Sequence, residues 1–179
     1  MSQVSPYIKA KDLKIPPQNA EAEKALLGSI MIRSEVMHDI TDIIGEQSFY
    51  SNQHRIIWAA LFELHSKSSP IDILSLSSRL KEKNLLDQAG GMAYLSELIN
   101  IVPSSTNAEH YADIVEKKHV LRELLRSAEQ INSLCYEEEL ELHDILERAE
   151  KALYRVTNKS GSHKFIALNK HHPTFVSIF

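Results

Sequence analysis

From Asn107 to about Leu134 the sequence carries a single uninterrupted helical pattern of about 30 residues, where a mean helix runs to about 11 or 12. An amphipathic element of this length carries an apolar stripe that other parts of the fold have to cover. Ile114, Leu121, Ala128 and Cys135 recur seven apart, with Leu124 and Ile131 at the intervening positions and Lys117 breaking the series. The acidic segment Glu137-Glu138-Glu139-Leu140-Glu141 then turns the chain. A second helix places Leu142, Ala149 and Val156 against Ile145 and Ala152, again seven apart. The pattern predicts a long antiparallel helical hairpin over residues 107–158. Val120, Leu125 and Leu134 on the first arm, with Leu146 and Leu153 on the second, lie beside the seam and widen it beyond what the hairpin itself consumes. Such a surplus marks an interface with the preceding part of the chain, with another copy, or with both. The candidate oligomer contacts are Leu121, Leu124, Leu125, Leu146 and Leu153.

The segment before the hairpin is helical too, in shorter pieces. Residues 1–15 have no period and read as a mobile arm, closed by Pro16-Pro17. Asn19 can cap a helix carrying Ala22, Ala25, Leu26, Ser29, Ile30 and Ile32, with Glu21 and Glu23 in the first turn, where the helix dipole favours acids. Ser34 is placed to cap a second helix through Val36, Met37, Ile40, Ile43 and Ile44, with Gly45 at its left-handed end. Phe49-Tyr50 precedes a third helix containing Ile56, Ile57, Trp58, Ala60, Leu61 and Leu64. Asp72 caps a fourth with Leu74, Leu76, Leu80 and Leu85, and Gly90-Gly91 opens a fifth through Tyr94, Leu95, Leu98 and Ile101. No segment alternates with period two, so the fold class is all-α, with a globular helical subdomain over residues 16–106. After the hairpin, residues 159–179 read as a flexible polar linker followed by an apolar stretch, Phe165 to Phe179, interrupted by Pro173.

Composition narrows the function by exclusion. With 179 residues, 43% of them apolar, the chain can bury roughly 68 to 70% of its unfolded surface without a metal or disulfide staple. The lone Cys135 cannot pair internally and suits a reducing, cytoplasmic setting, and no apolar run reaches the ~20 residues of a membrane span. The five glycines never stand at the spacing of a phosphate-cradling loop, which excludes P-loop nucleotide hydrolysis by these residues. His38, His54 and His65 lie on different predicted helices with no Cys or acid at ligand spacing, so no metal site is expected. The net charge is -4, and the hairpin holds 12 acids against 7 bases. Direct DNA binding is therefore expected to be weak, although a helical DNA-binding module stands as the alternative reading. With no nucleophile and base paired, no catalytic residue and no bound cofactor are expected.

Taken together, Ile15-Pro16-Pro17-Gln18-Asn19, Glu21-Ala22-Glu23, Leu27-Gly28, Phe49-Tyr50, His54-Arg55, Pro70-Ile71-Asp72, Gly90-Gly91, Tyr94-Leu95, Val102-Pro103-Ser104, Asn107, Tyr111-Ala112, Ile114-Val115 and Leu121-Arg122 form a recognisable series. In this order they resemble the N-terminal domain of the bacterial replicative DNA helicase, the DnaB family, from about Lys14 to Thr157. The resemblance implies a collar domain acting in DNA replication. In the family such domains form three dimers above a hexameric motor, with the hairpins between subunits, and the collar docks primase through the primase C-terminal domain. The family positions that influence primase coupling fall here on Glu21, Tyr94, Leu125 and Ile131, and a helicase loader is a further partner. The family unwinds DNA 5′-3′ at the expense of ATP, but ATP and Mg belong to its motor domain. Residues 165 onward look like the linker before that motor, so the sequence reads as a truncated product or an N-terminal fragment, inactive alone as an ATPase or helicase.

Overall fold

The computed structural model describes residues 15–102, 107–137 and 139–164, with side chains to residue 158. Seven α-helices and no strand are found among them: α1 (Ala20–Ile32), α2 (Val36–Ile40), α3 (Asn52–Ser66), α4 (Ile73–Glu82), α5 (Gly91–Asn100), α6 (Ala108–Leu134) and α7 (Leu142–Lys164), with a short 3-10 turn at Glu46–Ser48. The fold is all-α. Side-chain caps start two helices where the sequence places them: Asn19 Oδ1 accepts from Ala22 N–H at 3.0 Å, and Asp72 Oδ1 from Ser75 N–H at 2.8 Å. Gly90, at φ 90°, supplies the left-handed residue from which α5 departs. The expectation at α2 fails. Its N-cap is Glu35 with no side-chain bond, the helix ends at Ile40, and Gly45 is extended at φ -131°. Gly45 instead donates its N–H to Ser48 Oγ at 3.1 Å, fixing the turn that leads into Phe49.

α1 is the central element, packed against α2, α3, α5 and α6. Leu26, Leu27 and Ile30 of α1, Met37 and Ile40 of α2, Phe49, Ile57 and Leu61, Leu76 and Leu80 of α4, and Leu95 and Leu98 of α5 are fully enclosed. Phe49 meets Trp58 with ring centroids 5.4 Å apart. Three expected core residues fall outside: Ile32 and Leu74 are exposed, each lying off the buried face of its helix, and Ile101 is exposed just past the end of α5. The crossing of α1 and α5 is close enough that a Cβ on Gly28 would lie 2.0 Å from the carbonyl oxygen of Leu98. Glycine is thus needed at position 28 for space, not for conformation. On the outside, Glu63 of α3 holds Arg79 of α4, Lys83 at the end of α4 and Lys67 at the end of its own helix, stitching the two helices together.

The division between body and hairpin runs through α6. Ala108, Ala112 and Val115 belong to the same core as α1 to α5, so the first turns of α6 complete the body, and the boundary drawn at Asn107 does not coincide with the edge of the core. Farther along, Ser127 and Leu134 are buried with Ala152 and Val156 of α7, and the Ser127 hydroxyl donates to the carbonyl of Ala152 at 3.1 Å. The expected seam of Leu121, Ala128, Cys135 and Leu124 faces solvent, as does Leu142. The hairpin closes on smaller and more polar side chains, which let the two arms approach. Beyond Thr157, α7 continues as backbone helix to Lys164, through the Asn158 to His163 stretch expected to be a linker, because adding a residue to an existing helix costs far less than starting one. The expected arm over residues 1–14 and the apolar tail from Phe165 lie outside the described residues.

Candidate functional site

The most heavily wired polar feature links α1, α3 and α5. Glu23 is buried at the start of α1, facing inward where the dipole argument would leave it in water. Its carboxylate accepts the N–H of Tyr50 at 2.7 Å and of Ser51 at 3.4 Å, satisfying the backbone that enters α3. The same carboxylate meets Nδ1 of the buried His54 at 2.5 Å, and His54 Nε2 meets the Tyr94 hydroxyl at 2.6 Å. An acceptor-only carboxylate takes the Nδ1–H as donor. In the neutral imidazole Nε2 is then the acceptor and the tyrosine hydroxyl donates. The His54 and Tyr94 rings lie nearly parallel, 10° apart with centroids at 6.1 Å. Burial, then the charges of Glu97, Glu23 and Glu21, push the Tyr94 pKa up to about 12. A phenol so reluctant to ionise is a poor nucleophile or base, so the series acid, imidazole, hydroxyl holds a ring in place and does not activate it.

A second polar cluster joins the body to α6. Arg122 is buried, donating from Nη1 to the carbonyl of Pro17 at 2.9 Å and from Nη2 to that of Ser48 at 2.6 Å, while its guanidinium lies 5.7 Å from the centre of the Tyr50 ring. Burial lowers the Arg122 pKa, partly opposed by the charge of Glu23. Ser48 Oγ in turn donates to Glu116 Oε2 at 2.7 Å. Two α6 residues one and a half turns apart therefore grip the segment from Ser48 to Tyr50 that also feeds Glu23.

The residues singled out from sequence fall into two places. Glu21 is exposed on α1, Lys24 bridges it at 3.8 Å to Glu97 at 3.3 Å, and Tyr94 emerges half-buried beside them, so Glu21 and Tyr94 share one face of the body. Leu125 and Ile131 lie on the hairpin part of α6, Leu125 in water and Ile131 half-buried. Of the candidate oligomer contacts, Leu125, Leu146 and Leu153 are 51%, 59% and 49% exposed, and Leu121 and Leu124 are also exposed. Sequence reasoning missed Glu23 and Arg122 as buried ligands of the backbone. The signal available was only that both belong to the resembling series; 31 residues separate Glu23 from its imidazole partner, beyond any local pattern. Among the described residues no cluster of three or more His, Cys, Asp or Glu could hold a metal, and no helix is long and apolar enough to cross a membrane. His38 and His65 do meet, edge to face at 4.7 Å.

Residues 15–117 match the family model of the DnaB-like helicase N-terminal domain. The chain is 36% identical over 152 residues to the replicative DNA helicase DnaC of Bacillus subtilis, covering 85% of this chain and 34% of that protein. It is 36% identical over 160 residues to the replicative DNA helicase DnaB of Haemophilus influenzae, covering 86% of this chain and 34% of that protein. The chain thus spans about a third of the length of the curated relatives it matches. The crystal structure of the N-terminal domain of DnaB helicase from Mycobacterium tuberculosis superposes with a TM-score of 0.75 at 29% identity, over 79% of this chain and 99% of that one. A DnaB-like replicative helicase, solved in a study of its interactions with primase, superposes with a TM-score of 0.66 at 26% identity, over 77% of this chain and 31% of that one. A body wired through Glu23 and Arg122, a helical hairpin rising from its core, a family-model match over most of that body and relatives matched over most of the chain lead to one conclusion: the chain belongs to the DnaB-like helicase N-terminal domain family.

Proposed function

We propose that this chain acts by contact, as a collar module that pairs with copies of itself through the hairpin and docks primase on the body. The observation that carries the reading is the row of leucines left in water, Leu121, Leu124 and Leu125 on α6 with Leu146 and Leu153 on α7, beside a body that encloses most of its apolar residues and exposes only scattered ones such as Leu74. Two arms of this length can supply the ~800 Å² per partner typical of a stable contact. The primase part is supported by the solved DnaB-like relative studied with primase, and by Tyr94 standing half-exposed on rigid helices, the usual setting of an aromatic anchor. A hexamer, in the presence of a motor domain, is the assembly that the family resemblance implies. A helicase loader is a further partner for the same collar, and ATP-driven unwinding would belong to the motor domain of a full-length relative.

Two measurements test this. Light scattering across a concentration series is expected to show dimers or larger species that Leu125→Asp or Leu153→Asp reduces to monomers; a strictly monomeric wild type overturns the assembly half. Calorimetry with the primase of the same organism is expected to show binding that Tyr94→Ala weakens while circular dichroism stays unchanged. Binding indifferent to Tyr94, Leu125 and Ile131 overturns the site assignment. Sub-micromolar DNA binding at moderate salt would instead favour the nucleic-acid reading.

A further inference from the structure

The Tyr94 side chain is tied by its hydroxyl and leaves a crowded stretch of backbone. Its hydroxyl is bonded at 2.6 Å to His54, which is itself anchored on Glu23, and its Cβ lies so near the first residue of the α5 turn that a Cβ on Gly90 would come within 2.8 Å of it. Gly90 is boxed in from the other side by Gln53, whose Nε2 donates to the carbonyl of Ala89 at 3.0 Å. A half-exposed tyrosine would ordinarily sample its rotamers and spend its hydroxyl on water. Here the hydroxyl is committed inward, to the buried imidazole of His54.

We infer that His54 and Glu23 are positioning residues for primase docking: they never touch the partner, but fix the Tyr94 ring in the orientation that the partner receives. The inference rests on the proposed docking role of Tyr94 and adds the inner shell that makes the ring a rigid anchor. Rigidity matters because a side chain already ordered before contact loses less freedom on binding. It also assigns the chemistry of recognition. With its hydroxyl bonded to His54, Tyr94 offers the partner the apolar body of its ring, beside Glu21 and Glu97, and so suits an aliphatic or aromatic side chain of the partner.

A double-mutant cycle on the full chain tests this, read by calorimetry against primase, with circular dichroism, melting and light scattering as controls. Tyr94→Phe keeps the ring and removes the hydroxyl. His54→Asn keeps a donor for Glu23 and removes the acceptor for Tyr94. Each is expected to weaken binding by about fivefold, the worth of one hydrogen bond, and the double variant by no more than either, because both break the same bond. Oligomeric state is expected to be unchanged. A purely structural His54 would lower the melting point without this non-additivity, so additive losses overturn the inference, as does wild-type affinity in Tyr94→Phe. Tyr94→Phe alone carries the test if His54→Asn unfolds. Tyr94→Ala separates the two levels. If it weakens binding while Tyr94→Phe and His54→Asn do not, positioning is wrong and docking survives. If it has no effect, or the wild-type chain does not bind, docking and positioning fall together.

Discussion

The body and the hairpin are made of the same residue types and treat them in opposite ways. In the body most of the large aliphatic side chains are enclosed, with Ile32, Leu74 and Ile101 among the exceptions, and the buried polar groups, Glu23, Ser29, Ser48, His54 and Ser77, have hydrogen-bond partners. In the hairpin the enclosed residues are Ser127, Leu134, Ala152 and Val156, and most of the leucines stand in water. The difference separates two jobs. Burying Leu61 stabilises the chain itself, whereas Leu125 and Leu153, in water, add little to it and are available to the partner proposed above.

The comparison breaks most visibly in the core. Leu61→Ala is expected to cost about 2 to 5 kcal/mol, a loss read as an earlier midpoint in urea, while Leu153→Ala, at a concentration low enough to keep the chain monomeric, should stay within about 0.5 kcal/mol of wild type. If the two shifted the midpoint equally, the hairpin would be part of the self-sufficient core. Gly28→Ala probes the crossing of α1 and α5, where the new methyl meets a backbone carbonyl; about 1 to 3 kcal/mol of destabilisation is expected by thermal melting, with oligomeric state unaltered.

Arg122→Met sharpens the boundary between the regions. It leaves the carbonyls of Pro17 and Ser48 without their buried donor, for which about 1 to 3 kcal/mol is the expected penalty, and hydrogen exchange should rise first in the segment around Ser48. The smallest effect concerns the surface stitch. Arg79, Lys83 and Lys67 hold the Glu63 pKa well below the ordinary glutamate value of 4.5, so the contribution of Glu63 is fully present above about 4.5 and is lost only as pH falls below it. The melting difference between wild type and Glu63→Gln should accordingly be constant from neutral pH down to that value and shrink in stronger acid. A gap that closed between pH 7 and 5 would assign it to another group.

Much of the body was legible because its signals are local. Asn19 and Asp72 cap as their types predict, Gly90 opens α5, and Leu76 with Leu80 mark the inner face of α4 at helical spacing. The hairpin arms were legible as elements, but the inward face of α6 was not. The seven-residue series ran through its most apolar side chains, whereas the face that packs is set first by Ala108, Ala112, Val115 and Arg122, then by Ser127 and Leu134. A periodicity argument takes hydrophobic to mean inward, and an element that meets a partner on its outside reverses that rule. The Glu23, His54 and Tyr94 relay was invisible for a different reason: each residue sits on its own helix, and only the packing of α1, α3 and α5 brings them together.

Because α6 belongs to both regions, it is also a lever. Arg122 and Glu116 fix its fulcrum on the body, and at about 1.5 Å per residue the arm from Arg122 to Leu134 reaches about 18 Å beyond that point. A tilt of about 10° at the fulcrum would swing the tip by about 3 Å, comparable to the whole spacing between packed side chains. The hydrogen bonds to Ser48 therefore set the aim of the leucines as well as the stability of the joint, and a substitution far from the hairpin tip can misalign a contact it never touches.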